Sequence, residues 1–197
     1  MIWSDDRVSR LDDVTVFFDR DGTLNPDPGY IGRPEDFELY PGAGAALARL
    51  NRAGARVILV TNQSGIARGM FTLNDLKAVH DKLAHRLALH GARLDAIYHC
   101  PHHPDEQCTC RKPATGMAER AIADMGLDRS RIYLVGDQSS DVEMAKRLKA
   151  RSIFVTTGHG SAETLVALSA RQLQPDYVTD SLERAVDWVF LQQNPNG

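Results

Sequence analysis

Residues 14–23 read VTVFFDRDGT, an apolar run that ends in two aspartates, Asp19 and Asp21. The run itself is apolar or β-branched throughout, which favours a strand buried on both faces of a parallel sheet. Gly22 permits a tight turn directly after the aspartates. In sheets of this kind ligands bind at the carboxyl ends of the strands. The segment therefore predicts an α/β protein with its chemistry at the end of its first strand.

The rest of the chain continues to alternate short apolar runs with helix-period segments. Further strands are predicted over residues 56–60, 96–98, 131–135, 152–155 and 176–179. Helices are predicted over residues 42–53, 72–91, 117–125, around 142–148 and after Ser181. The second begins at the capping residue Thr72, ends at Gly91 and carries on one face Leu73, Leu76, Val79, Leu83 and Leu87. Ser181 is the capping residue of the last. We expect a three-layer, doubly wound, mostly parallel sheet. It would form a single domain over residues 1–197, with no cap domain.

Composition limits the possible function classes. The chain has 197 residues with 43% hydrophobic and 25% charged, which is typical of a globular protein. A net charge of −3 argues against a nucleic-acid or membrane surface. Residues 1–13 lack the apolar core of a signal peptide, and no run approaches the roughly 18 apolar residues of a membrane span. We expect a cytoplasmic protein, and a monomer because no amphipathic stretch is left unassigned.

Polar side chains follow four of the predicted strands. These segments are DRDGT at 19–23, TNQSG at 61–65, the loop from 100 to 112 and GDQSSD at 136–141. Because the carboxyl ends of parallel strands meet at one edge of the sheet, the four segments predict one site. Asp19 and Asp137, with a backbone carbonyl, would offer the hard oxygen ligands that suit Mg²⁺.

The loop at 100–110 carries a second metal-ligand pattern. Cys100, His102, Cys108 and Cys110 have the C-x-H and C-x-C pairing of a closed four-ligand zinc site. By spacing alone His99 or His103 could replace His102. A redox thiol cluster and three inert cysteines are the alternatives to a metal site. Three thiolates and an imidazole leave no open position, so we expect the Zn²⁺ to be structural.

Several of these motifs together resemble a known group of enzymes. The matching residues are Asp19-x-Asp21-Gly22-Thr23, Thr61, Lys112 and Gly136-Asp137-x-x-x-Asp141. They resemble the four ordered motifs of the haloacid dehalogenase superfamily of phosphatases. The longer strings DRDGTLN, VTNQSGIARG and CxH…CxCRKP are similar to the branch of heptose-bisphosphate and histidinol-phosphate phosphatases. The similarity spans about residues 14–160 and selects His102 as the fourth zinc ligand.

The resemblance implies a role for each motif. Asp19 would be a nucleophile that forms an aspartyl phosphate, and Asp21 would be the acid and then the base. Thr61 and Lys112 would hold the transferring oxygens. Asp19, the Asp21 carbonyl and Asp137 would bind catalytic Mg²⁺.

The resemblance also assigns further residues around this centre. Asp141 would contact Lys112 or Mg²⁺, or would cap a helix. The zinc site would fix Arg111 and Lys112 beside the phosphate, since Cys110 directly precedes them.

For the substrate, the resemblance implies a small phosphorylated sugar. The expected reaction removes the C7 phosphate of D-glycero-D-manno-heptose 1,7-bisphosphate, in the synthesis of nucleotide-activated heptose for lipopolysaccharide; histidinol phosphate is the alternative. The candidate substrate-binding residues are Asp27, Gly29, Tyr30, Asn62, Gln63, Ser64 and Arg111. Pro28 stands where the family usually has His, which bears on stereochemistry, and Pro28–Gly29 could equally be an ordinary turn. We expect Arg20 at the surface or rim, and His80, His85, His90 and His159 exposed.

Two other function classes are less consistent with the sequence. A zinc-stapled nucleic-acid binder would need a basic face with interleaved aromatic residues, which the net charge of −3 and 7% aromatic content disfavour. A signalling receiver would be phosphorylated on Asp19 without turnover. Such a domain would have no need of a second carboxylate at Asp21.

Overall fold

The structure, a computed structural model, describes residues 10–160 and 162–193. Its strands are β1 (Thr15–Phe18), β2 (Arg56–Asn62), β3 (Ala96–Cys100), β4 (Ile132–Gly136), β5 (Arg151–Val155) and β6 (Tyr177–Thr179). Its helices are α1 (Ala43–Arg52), α2 (Leu73–Ala88), α3 (Gly116–Met125), α4 (Ser139–Leu148), α5 (Ala162–Ala170) and α6 (Leu182–Gln193). The strands form one sheet in the order β3-β2-β1-β4-β5-β6, and every neighbouring pair is parallel. The predicted α/β fold is confirmed.

Alternating side chains of the central strand β1 enter two hydrophobic cores. Val16 and Phe18 pack in the core beneath α1, α2 and α6. Phe17 packs on the opposite face, in the core beneath α3 and α4. Because both faces of β1 are buried, its sequence is apolar without alternation. This confirms the three layers.

Local signals set the predicted helix boundaries. At the start of α2, Thr72 Oγ1 accepts the backbone N–H of Asp75 at 3.2 Å, and Asp75 Oδ2 accepts the backbone N–H of Thr72 at 2.7 Å. At the end of α3, Gly126 adopts the left-handed conformation, with φ of 61°.

Two details differ from the sequence-based expectation. Leu73 was predicted on the buried face of α2, but it is 55% exposed because it is the first helical residue and lies at the open end of the helix. Helix α5 was not predicted, since only Leu168 among its residues is buried and its apolar side chains form no stripe.

The segment between β1 and α1 contains little regular secondary structure. Over residues 19–42 it contains one 3-10 helix, Pro34–Asp36. Within the described ranges nothing of domain size therefore covers the ends of the strands. No helix in the described part of the chain is long and apolar enough to cross a membrane.

Candidate active site

The turn after β1 places the first motif against the loop after β4. The backbone N–H of Asp19 donates to Val135 at 2.9 Å, and the carbonyl of Arg20 accepts from Leu24 at 2.8 Å. Gly22 has φ of 79°, and a Cβ atom there would lie 2.2 Å from Asp137 Oδ2. Glycine is required at this position by conformation and by space.

A buried lysine lies at the centre of the site. Lys112 Nζ is 2.8 Å from Asp19 Oδ1 and 2.6 Å from Asp141 Oδ1, and all three side chains are nearly excluded from solvent. Burial raises the pKa of Asp19 to about 7, although Lys112 opposes this rise. Burial also lowers the pKa of Lys112, but the charges of Asp141 and Asp19 outweigh it and hold that pKa above its ordinary value. Lys112 is therefore a fixed cation beside Asp19.

The Asp141 carboxylate makes two of its three expected contacts at the same time. Its Oδ1 accepts from Lys112 Nζ at 2.6 Å, and its Oδ2 accepts the backbone N–H of Gln138 at 3.1 Å, at the start of α4. The contact to Lys112 and the helix cap are thus compatible, because each uses a different oxygen.

Three carboxylates could hold a cation here. Oxygens of Asp19, Asp137 and Asp141 lie within 4.8 Å of one another, and all three residues are buried. Burial, and then the charge of Asp19, raise the pKa of Asp137 to about 6. Three carboxylates against the single cation Lys112 leave an excess charge of −2, which a divalent ion balances. Asp141 is paired with the charged Lys112, whereas Asp137 accepts from two neutral donors, the Thr23 hydroxyl and the His159 backbone N–H. In the described part of the chain the hydrogen bonds to the Asp19 carboxylate all go to its Oδ1, which leaves Oδ2. Oxygen donors of this kind suit Mg²⁺.

Arg20 is buried, and its predicted place at the surface was wrong. Its side chain is 0% exposed, and its Nε and Nη2 donate to the two carboxylate oxygens of Asp21, each at 2.9 Å. Strand alternation does not extend to Arg20, because β1 ends at Phe18 and the chain then turns back on itself. The buried charge is compensated by its ion pair.

His80 was also predicted to be exposed, and this was wrong. It is 8% exposed, and its Nε2 lies 3.4 Å from Arg20 Nη1. Burial, and then the charge of Arg20, lower the pKa of His80 to about 3. A neutral imidazole is therefore the partner of Arg20. His85, His90 and His159 are exposed as expected.

The residues after β2 are engaged by other parts of the site. The Asn62 side chain accepts the Lys112 backbone N–H at 3.0 Å and donates to the Lys112 carbonyl at 3.3 Å. Gln63 Nε2 donates to Asp21 Oδ2 at 2.8 Å and to Thr61 Oγ1 at 2.9 Å. Ser64 is buried, and its carbonyl accepts from Arg68 at 3.1 Å.

A cleft of about 500 Å³ opens above these groups. Its lining includes all of the predicted catalytic and substrate-binding residues except Ser64, namely Asp19, Asp21, Asp27, Gly29, Tyr30, Thr61, Asn62, Gln63, Arg111 and Lys112. It also includes Gln138, Ser139 and Ser140, which were not predicted although they lie between Asp137 and Asp141 in sequence. The last two begin α4, and a helix N-terminus favours an anion.

Charged and aromatic groups mark the outer part of the cleft. Arg111 lines the cleft, and its Nη1 is buried with no hydrogen-bond partner among the described atoms. Tyr30 is 48% exposed, and the Arg68 guanidinium lies 6.0 Å from the centre of its ring. Asp27 Oδ1 accepts the Gly29 backbone N–H at 2.9 Å, which makes the Pro28–Gly29 segment a turn closed by Asp27.

The cysteine cluster lies beside this cleft. His102 Nδ1 is 3.1 Å from Cys110 Sγ and 3.5 Å from Cys100 Sγ, and Cys108 Sγ is 3.5 Å from Cys110 Sγ. The three cysteines are free thiols. Four donor atoms gathered around one point fit a tetrahedral Zn²⁺.

The two alternative histidines lie outside this cluster. The ring of His99 packs 6.2 Å from that of His80, and His103 Nδ1 accepts the Asp105 backbone N–H at 3.4 Å.

Comparisons with known proteins agree with this geometry. Residues 109–185 match the HAD-hydrolase-like family. The chain is 40% identical over 191 residues to D-glycero-D-manno-heptose-1,7-bisphosphate 7-phosphatase of Thermosynechococcus vestitus, covering 91% of this chain and 97% of that one. It is 39% identical over 183 residues to D-glycero-beta-D-manno-heptose-1,7-bisphosphate 7-phosphatase of Haemophilus ducreyi, covering 88% and 97%. The chain belongs to the heptose-bisphosphate phosphatase family.

A solved structure extends this assignment to the fold. The D,D-heptose 1,7-bisphosphate phosphatase of B. bronchiseptica, crystallised with magnesium and phosphate, superposes with a TM-score of 0.82 at 35% identity. The match covers 91% of this chain and 99% of that one. The suspected membership of the haloacid dehalogenase superfamily is confirmed.

In this member of the heptose-bisphosphate phosphatase family, a fifth loop completes the site. Thr157 Oγ1 donates to the Gly22 carbonyl at 2.7 Å, and the His159 backbone N–H donates to Asp137 Oδ2 at 2.7 Å. His159 Nε2 lies 2.9 Å from Asp27 Oδ2. The sequence of this loop, TTGHG at 156–160, has no acidic residue that would have marked it as part of the site.

Proposed function

We propose that this protein is a Mg²⁺-dependent phosphatase that removes the C7 phosphate of D-glycero-D-manno-heptose 1,7-bisphosphate. The observation that carries the proposal is the buried Asp19–Lys112 pair at the floor of a cleft that also contains Asp21. The names of the relatives from T. vestitus and H. ducreyi support the substrate, and the magnesium and phosphate of the B. bronchiseptica structure support the cation.

Asp19 is the nucleophile in this proposal. Its Oδ1 accepts from Lys112 Nζ at 2.8 Å and from the Arg20 backbone N–H at 2.7 Å, which leaves the lone pairs of Oδ2 for attack on phosphorus. A carboxylate about 4 Å from a phosphate dianion is repelled by roughly 8 kcal/mol at an effective dielectric of 20. Lys112 offsets part of that repulsion. Mg²⁺, held by Asp19, Asp137 and the Asp21 carbonyl, would neutralise charge on the transferring phosphoryl group.

Asp21 is the acid and base. It protonates the sugar oxygen as the bond from that oxygen to phosphorus breaks and Asp19 takes the phosphoryl group. It then removes a proton from the water that releases phosphate from Asp19. The Thr61 hydroxyl and Lys112 hold the phosphoryl oxygens during both steps.

The outer cleft selects the substrate. Arg111, which has a buried and unpartnered Nη1, would bind the part of the substrate remote from the transferred phosphate. Asp27, Gly29 and Tyr30 would face the sugar hydroxyls, with Asn62 and Gln63 near the phosphate. Ser64 is buried outside the lining of the cleft, so it is not among the proposed substrate contacts. The Cys100, His102, Cys108 and Cys110 cluster would hold structural Zn²⁺ and so fix the segment that carries Arg111 and Lys112.

The same proposal covers the organisation of the protein. Residues 1–197 would form one phosphatase domain that acts as a monomer, as expected from a sequence in which no amphipathic stretch is left unassigned. The free thiols of the cysteine cluster suit a reducing cytoplasm.

A panel of phosphate esters tests the proposal. We expect Mg²⁺-dependent release of one phosphate from the heptose 1,7-bisphosphate, at a kcat/KM at least tenfold above that for histidinol phosphate. Asp19→Asn should abolish turnover in a protein that stays folded. Turnover within tenfold of wild type in Asp19→Asn would exclude Asp19 as the nucleophile. A preference for histidinol phosphate would exclude the heptose bisphosphate as the main substrate.

A further inference from the structure

A buried Arg20–Gln63 pair lies behind Asp21. Arg20 is 0% and Gln63 4% exposed, and Arg20 Nη2 donates to Gln63 Oε1 at 3.2 Å. Arginine has only N–H donors, so the Gln63 atom that faces it must be the carbonyl oxygen. The orientation of this amide is therefore fixed by its partner. The two N–H bonds of Gln63 Nε2 must point the other way, toward Asp21 and Thr61.

This orientation determines where the Thr61 proton points. A hydroxyl carries one proton and two lone pairs. One lone pair of Thr61 Oγ1 accepts from Gln63 Nε2 at 2.9 Å. The Thr61 proton is then directed away from Gln63, and Thr61 lines the cleft. The amide of Gln63 thus presents Thr61 as a donor to an oxygen bound in the cleft.

The same amide helps to hold Asp21. Asp21 Oδ2 accepts from Gln63 Nε2 at 2.8 Å and from Arg20 Nη2 at 2.9 Å. Asp21 Oδ1 accepts from Arg20 Nε at 2.9 Å and from Asn25 Nδ2 at 3.1 Å. Four donors occupy the roughly four lone-pair sites of a carboxylate. Asp21 must therefore release one of these bonds to carry the proton that it delivers to the sugar oxygen.

We propose that Arg20 and Gln63 are positioning residues for the reaction. Arg20 orients the amide of Gln63, and Gln63 holds the Asp21 carboxylate and directs the Thr61 proton to the phosphoryl group. The sugar oxygen receives its proton from Asp21, and water later returns one to Asp21, so Arg20 and Gln63 neither gain nor lose protons. This role differs from the substrate contact expected for Gln63. The inference rests on the proposed function, because it needs Asp21 as acid and base.

Two variants separate positioning from substrate binding. Gln63→Met keeps the side-chain volume and removes the amide. Arg20→Lys keeps the positive charge and removes the planar guanidinium group with its several N–H donors. Each is assayed with the heptose bisphosphate, whose leaving oxygen needs a proton, and with 4-nitrophenyl phosphate, whose leaving oxygen hardly does. We expect kcat for the sugar phosphate to fall by about 10²-fold, with KM changed less than about threefold. The rate constant for the burst of nitrophenolate in the first turnover should fall by no more than about tenfold.

Several results would overturn the inference. Gln63 would be a substrate contact if KM rose and kcat stayed constant. A fall in reaction rate by the same factor for both substrates would show general damage to the site. Asn51→Leu, which removes a buried amide from α1, controls for the loss of stability. If one variant does not fold, the other still gives one of these results.

A separate variant tests the function on which the inference depends. Asp21→Asn should abolish release of the sugar oxygen. If it does not, the acid–base assignment of the proposed function fails. If Asp21→Asn is inactive, while Gln63→Met and Arg20→Lys lower the rates for both substrates by the same factor, only the inference fails.

Discussion

Nζ of Lys112 lies 2.8 Å from Oδ1 of Asp19, and the side chains are 1% and 10% exposed. Lys112 therefore acts where water cannot screen its charge. The pair also depends on Asp141, which accepts from the same Nζ at 2.6 Å. Removal of the cation would leave two buried carboxylates facing each other.

Lys112→Met should cost both activity and stability. Loss of a fixed donor to the phosphoryl oxygens lowers kcat by at least about 10³-fold. Loss of the partner of Asp19 and Asp141 lowers the free energy of unfolding by about 3–5 kcal/mol. Steady-state kinetics and urea unfolding measure the two effects. Lys77→Met, at the exposed pair with Asp81, is the control and should change stability by less than about 0.5 kcal/mol. Activity within tenfold of wild type would contradict the assignment.

The buried carboxylates predict a pH dependence for the metal-free protein. The pKa values of Asp19 and Asp137 are raised to about 7 and about 6 by burial, against about 3.9 in an unfolded chain. Between these values the folded state binds more protons than the unfolded state. The stability that these groups contribute is therefore complete below pH 4 and is lost as the pH rises through 6 and 7.

Mg²⁺ should reverse this trend, because it binds the ionised carboxylates. At a hundredfold excess over its Kd it adds about 2.7 kcal/mol, or roughly 5–10 °C in Tm, and more at pH 8 than at pH 5. Thermal unfolding with and without Mg²⁺ measures the shift. Asp137→Asn should reduce both the pH trend and the Mg²⁺ effect. A Mg²⁺ shift that is the same at both pH values would contradict the proposed site.

Cys108→Ala tests the positional role of Zn²⁺. We expect the bound zinc and most of the activity to be lost together, because the cluster precedes Arg111 and Lys112 directly in the chain. Metal content and kcat are measured on the same preparation. Ser169→Ala on α5 is a control distant from the loop and should keep both. Full activity in a zinc-free Cys108→Ala protein would show that the cluster does not position the site.

Gly158→Ala tests the fifth loop. A Cβ atom at Gly158 would lie 2.3 Å from the Gly22 Cα and 2.4 Å from Asp137 Oδ2. The loop must move away, which weakens the bond from His159 to Asp137 and costs about 1–3 kcal/mol of stability. We expect the Mg²⁺ concentration for half-maximal activity to rise by about tenfold. Thr156→Ala in the same loop adds no atom near Gly22 and should leave that concentration unchanged. An unchanged Mg²⁺ requirement in Gly158→Ala would separate the loop from the metal site.

The sequence predicted the sheet and most of the cleft because both depend on local patterns. Apolar runs identify strands that are buried on two faces, and the residue after each run lies at the shared edge. Asp19 and Asp137 could be placed by this rule alone. The zinc cluster followed from spacing, with His102 chosen by family resemblance.

The two wrong predictions of exposure have different causes. Arg20 turns back beneath Asp21 after β1 has ended, where strand alternation no longer gives the direction of a side chain. His80 lies on α2 four residues after Leu76, on the face that the helix period buries, so its burial could have been predicted from spacing. His159 reaches the site through a backbone N–H, which every residue other than proline has. Such contacts depend on the path of the turn, and a pattern of residue types does not encode that path.

The segment from Cys100 to Lys112 is fastened to β2 at both ends. The Gln63 backbone N–H donates to the Cys100 carbonyl at 2.7 Å, and the Asn62 side chain pairs with the Lys112 backbone. Changes confined to residues 103–107, between the proposed zinc ligands His102 and Cys108, need not displace the lysine. This short stretch is thus a replaceable cassette, and a designer who keeps Asn62, both ends and the four zinc ligands can exchange it to alter which molecules the enzyme accepts.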